Sequence, residues 1–81
     1  MIFPIQISAA RVLLGMSQVE LAQRASVGIG TIKRIEAERE QLAGTMRTIA
    51  KIQRALEAAG IVFIEQNGTQ GPGVRLREPL P

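Results

Sequence analysis

SQVELAQRASVGIGTIKRIE, residues Ser17–Glu36, holds two helical patterns separated by a short break. Ser17 and Glu20 have the S-x-x-E spacing of a capping box, in which each side chain can satisfy the other residue's backbone N–H at a helix start. Met16 and Leu21 stand at the N′ and N4 positions of a hydrophobic staple, which sets how the chain enters the helix. Leu21, Ala22 and Ala25 then line one face. Ser26-Val27-Gly28 interrupts the pattern, and Ile32 with Ile35 resumes it on a new helix. Gly30 inside that helix costs about 1 kcal/mol relative to alanine, so the helix needs tertiary support. Two helices joined by so short a turn can cross steeply only if their contact is small and a turn residue packs inward. Ala22 provides the small contact and Val27 the inward residue.

Upstream, Pro4 suits the first position of another helix, where its missing N–H is not needed. Ile7, Ala10 and Leu14 follow at i, i+3, i+7, and Gly15 ends the run. Ser8 is an alternative, later start. Downstream, Thr45 is a good N-cap. Met46, Ile49, Ile52 and Leu56 recur at helical spacing, and Gly60 stops that helix. The period then changes. Ile61-Val62-Phe63-Ile64 is rich in branched residues, and Val74-Arg75-Leu76-Arg77 alternates apolar and basic. Turn chemistry fills residues 66–73 between them, which predicts a hairpin with a long loop. The expected fold is mainly α, with four to five helices and a small C-terminal β-hairpin. Residues 1–60 are read as a helical domain with its motif at 17–36, residues 61–77 as a hairpin extension of the same domain, and residues 78–81 as a tail.

Composition narrows the chemistry. The chain of 81 residues has no His, Cys, Asp, Tyr or Trp. That removes zinc fingers, Ser-His-Asp and Cys-His triads and His-based metal sites, so no enzyme activity, cofactor or metal is expected. An apolar fraction of 46% supports a folded core. No apolar run is long enough for a membrane span, and Met1-Ile2-Phe3-Pro4 has no basic leader. A cytoplasmic setting is the expectation. The net charge of +3 favours an anionic partner. Residues 1–34 hold Arg11, Arg24, Lys33 and Arg34 against Glu20 alone, and Arg47, Lys51 and Arg54 follow at helical spacing.

The run from Ser17 to Ala25, followed by Thr31-Ile32-Lys33-Arg34-Ile35-Glu36, resembles the phage-repressor-like (Cro/repressor, XRE-type) helix-turn-helix family. The wider pattern is similar as well: Ala9-Ala10-Arg11 and Leu14-Gly15 ahead of the motif, then Arg54-Ala55-Leu56-Glu57-Ala58-Ala59-Gly60 and Gly73-Val74-Arg75-Leu76. The likeness covers roughly residues 4–77, strongest at the motif. It implies a duplex-DNA-binding regulator whose second motif helix enters the major groove. Gln18 then resembles a phosphate contact at a helix start, and Ile29 and Gly30 fall at the groove floor. Arg34, one turn on, matches a position able to grip a guanine. Thr31 and Lys33 reach backbone or flanking bases, while Arg39 and Arg47 resemble loop and fourth-helix contacts to phosphate. The chain departs from the family at Gly28, where a Ser or Thr cap is usual. It departs again at Ser26, where a turn glycine is common, and at Ile29 and Gly30, which replace polar base readers.

Plainer readings compete. Arg34 can pair with Glu38 four residues on, and Arg47, Lys51 and Arg54 can be a solvated face. Gly28-Ile29-Gly30 lacks the third glycine and preceding strand of a nucleotide loop. The loop at 66–73 has no Lys-Ser/Thr pair for phosphate. Asn67-Gly68-Thr69 has the form of a glycosylation site with no secretory context. The expected function is sequence-specific repression by site occupancy, as a homodimer on a pseudo-palindrome. The rival is an antitoxin-like or adaptor module that binds a toxin or other protein. The hairpin is expected to help build the dimer, because Ile61 to Ile64 is apolar on both faces and its edge lacks Lys and Pro. The alternative is a monomer whose second hairpin face packs on the fourth helix. No small-molecule effector is expected.

Overall fold

The computed structural model describes residues 2–38 and 45–81. Helix α1 spans Pro4–Leu13, α2 Gln18–Ala25, α3 Ile29–Ala37 and α4 Met46–Ala58, followed by strands β1, Ile61–Ile64, and β2, Gly73–Leu76. The earlier start holds for α1: Pro4 is its first residue. The Gln6 Oε1 accepts from the Phe3 backbone N–H at 2.7 Å, which satisfies an amide at the helix entry.

The two motif helices are bounded by local chemistry. Ser17 caps α2, its Oγ accepting from the Glu20 N–H at 3.0 Å. The reciprocal half of the capping box is not made. Arg24, one turn on, donates to the Glu20 carboxylate at 3.4 Å and draws that side chain along the solvated face. At the other end Ser26 adopts a left-handed conformation, φ 57° and ψ 45°. The Val27 N–H donates to Ala22 O at 3.0 Å and the Ser26 N–H to Gln23 O at 3.3 Å, the pair of bonds of a Schellman motif. Gly15, φ 67°, closes α1 in the same way, with Met16 N–H on Arg11 O and Gly15 N–H on Val12 O.

All four helices and β1 share one core. Ile7, Ala10, Leu21, Ala22, Ala25, Ile32, Ile35, Ile49, Ile52, Leu56 and Ile61 are buried, with Val27 packed against them. Ala22 lies inside the core, and α2 meets both α3 and α4. Met46 does not join it and is 77% exposed, although it stands one turn before Ile49. It is the first residue of α4, and helical side chains lean toward the N-terminus, which carries this one past the packed segment. Thr45 caps the helix, its Oγ1 accepting from the Thr48 N–H at 3.1 Å.

The hairpin is antiparallel, with Ile61 opposite Leu76 and Phe63 opposite Val74. Cross-strand partners share a face. Ile61, Phe63, Val74 and Leu76 all pack on the core, which leaves Val62, Ile64, Gly73 and Arg75 on the other face. Strand β1 lies against α4 and β2 against α1. Gln6 is buried and ties the hairpin to α1, its Nε2 donating to Ile64 O at 3.1 Å and Gly73 O at 3.0 Å. Arg77 joins the strands to the end of α4, donating from Nη1 to Glu57 O and from its backbone N–H to Gly60 O. Asn67 organises the loop between strands, its Oδ1 accepting from the N–H groups of Thr69 and Gln70. Among the described residues no helix is long and apolar enough to cross a membrane.

Candidate nucleic-acid interface

Helix α3 is held from behind by a single carboxylate. Glu36 receives Arg11 from α1 in a two-pronged contact, Nε to Oε2 at 2.9 Å and Nη2 to Oε1 at 3.0 Å. Gln18, the first residue of α2, donates from Nε2 to the same Oε1 at 3.2 Å. Arg11 also donates from Nη1 to Met16 O at 2.9 Å, so it grips the turn between α1 and α2. The Arg11 and Glu36 side chains are only 18% and 7% exposed. A planar guanidinium on a carboxylate fixes orientation as well as distance, and here it sets α3 against both α1 and α2.

This cluster changes the charge map. Arg11 is neutralised inside the fold and Arg24 pairs with Glu20 on the surface, so two of the four early basic residues are not free. Lys33 and Arg34 are exposed, and among the described residues neither has an ion-pair partner. The Arg34–Glu38 pair is not formed. Ile29, Gly30, Lys33, Arg34 and Ala37 make the outward face of α3, while Ile32, Ile35 and Glu36 hold the inward one.

The expected contact residues that are described sit on three helices. Ile29, Gly30, Lys33 and Arg34 share that outward face, and Thr31 is half-buried at its border. Gln18 is half-buried and its amide is engaged with Glu36, at the point where α2 begins. Arg47 is exposed in the first turn of α4, and Lys51 and Arg54 continue its stripe. Arg39 lies outside the described residues. The Arg11–Glu36–Gln18 cluster was not anticipated, because its members lie 18 and 25 residues apart and no local spacing marks them.

Gly28 begins α3 without a side-chain cap, and its carbonyl accepts from Thr31 and Ile32 at 3.1 and 3.3 Å. The exposed start of the helix is therefore bare of polar side chains, and its cations come one turn later. A family model described as helix-turn-helix matches residues 7–58, which takes in α2, α3, α4 and most of α1 and leaves the hairpin outside. A search of curated proteins found no match.

Proposed function

Since the chain belongs to the phage-repressor-like, XRE-type helix-turn-helix family and is a DNA-binding transcription regulator, we propose that it represses by occupying its operator as a dimer. In this reading α3 enters the major groove. Arg34 grips a guanine edge, Lys33 and Thr31 meet backbone or flanking bases, and Ile29 and Gly30 face the groove floor. Gln18, Arg39 and Arg47 contact phosphate. One observation carries it: the outward face of α3 bears two exposed cations with no ion-pair partner among the described residues, while its inward face is fastened to α1 and α2 through Glu36. A firmly seated helix with exposed cations is what reading a groove requires.

A nine-residue helix offers few base contacts, which is the argument for two copies on a two-fold site. Apolar side chains at Ile5, Val12, Leu13 and Ile64 remain exposed, and this reading assigns protein contact there to a second copy. The cytoplasm is the compartment in which such a protein meets its DNA.

The test is selection from random duplexes followed by titration of two variants. Arg34→Ala should flatten preference at one base-pair position, with about 1–3 kcal/mol lost on the preferred site. Arg47→Ala should weaken all duplexes alike and lower the salt slope by about one. An unchanged logo for Arg34→Ala removes it as a reader. A parent chain that binds only a co-purified protein, and no duplex, would favour the antitoxin-like or adaptor reading.

A further inference from the structure

Gly30 has no reason to be glycine inside this fold. Gly15 and Gly60 need positive φ, 67° and 112°, but Gly30 sits in α3 with ordinary helical geometry. A Cβ built on it meets nothing within 4 Å, so alanine fits and would favour the helix. Its neighbour Ile29 is 36% exposed, whereas Ile32 and Ile35 on the same helix are fully buried. An apolar side chain and a bare backbone thus stand together on the face that carries Lys33 and Arg34. Gly30 serves no packing in this chain, and Ile29 leaves a third of its surface open.

The major groove presents one apolar group, the 5-methyl of thymine; every other feature there is a donor or an acceptor. We infer that Ile29 packs on a thymine methyl, and that Gly30 lets the backbone of α3 come close enough to the base edges for it to do so. Sequence preference at this position then comes from shape and an apolar contact, with Arg34 adding its hydrogen bonds one turn away. The inference rests on α3 being the groove-entering helix, and it names what the start of that helix reads.

Replacing thymine by uracil removes the methyl and nothing else. In the operator obtained by selection, each thymine is changed to uracil in turn and binding is titrated. One or two positions should each lose about fourfold in affinity, what ~0.8 kcal/mol for one buried methyl corresponds to. Ile29→Ala should lose a similar factor on the thymine operator and become indifferent to uracil at those positions. Gly30→Ala should melt no lower than the parent yet bind the operator more weakly. If no uracil position matters while Arg34→Ala still flattens its own position, the thymine contact is wrong and the groove reading stands. If Gly30→Ala keeps full affinity, the close approach is wrong. If the parent shows no sequence preference and Arg34→Ala changes nothing, α3 is not the reading helix and both fall together.

Discussion

Glu36 is the residue on which the seating of α3 turns. It accepts from Arg11 and Gln18 while only 7% exposed, so its charge is compensated by donors from two other helices. Glu36→Gln keeps the shape but leaves the Arg11 guanidinium without its counter-charge. Breaking a buried pair from one side costs about 3–5 kcal/mol, and the residual exposure of Arg11 places this one near about 3 kcal/mol. Urea melts measure it; a loss below about 1 kcal/mol would mean that water already screens the pair. Ser26 is the opposite case, a residue that the fold tolerates at a price. It holds φ 57° to complete the Schellman bonds after α2. A non-glycine residue in that region is strained by about 1–2 kcal/mol. Ser26→Gly should therefore raise stability by about 0.5–1 kcal/mol once the extra freedom of glycine in the unfolded chain is deducted. A lower melting temperature for Ser26→Gly would show that the serine side chain holds the turn.

The element scale turns on how α2 meets its neighbours. Ala22 is 5% exposed and its carbonyl also anchors the turn to α3 through Val27. Ala22→Leu overfills that contact and should cost about 1–3 kcal/mol in a thermal or chemical melt. An unchanged midpoint would contradict a close helix contact there. The bounds of α2 and α3 were legible in the sequence because caps, staple and turn act within a few residues of one another. Ser17 caps the Glu20 N–H, and Val27 packs inward where the turn spacing puts it. One local reading failed in half through a neighbour: Arg24 took the Glu20 carboxylate, so the capping box was not closed. What could not be read was contact between distant elements. Gln6 finds its acceptors 58 and 67 residues away, and Arg11 finds Glu36 at 25. The face of α3 was legible from periodicity, but the loss of Arg11 from the exposed basic residues depended on its distant partner Glu36.

At the scale of the molecule the hairpin is part of the core, and this changes how its role in a dimer must be tested. Ile61 is 1% exposed, and the carbonyls of Ile64 and Gly73 satisfy the buried Gln6 amide. Deleting the chain after Gly60 would open the core and strand that amide, so loss of a dimer would merely report loss of the fold. Substitution on the outer face avoids this. Val62 and Ile64 lie opposite Arg75 and Gly73, away from the packed side chains. Val62→Lys with Ile64→Lys should leave the melting midpoint within about 1 kcal/mol of the parent in stability terms, since such surface changes are usually small. If a second copy covers that face, the doubly substituted chain sediments as a monomer. It then binds a full operator more weakly but a half-site as the parent does, because two copies no longer share the site. A variant that stays dimeric moves the contact to another apolar face, and α1 offers one in Ile5, Val12 and Leu13, all exposed. Its only charge, Arg11, is turned inward to Glu36, so two copies of that stripe could meet without opposed cations. Val12→Lys, sedimented beside the hairpin variant, decides between the two faces. A parent chain that is monomeric both alone and on the full operator would end the dimer proposal altogether.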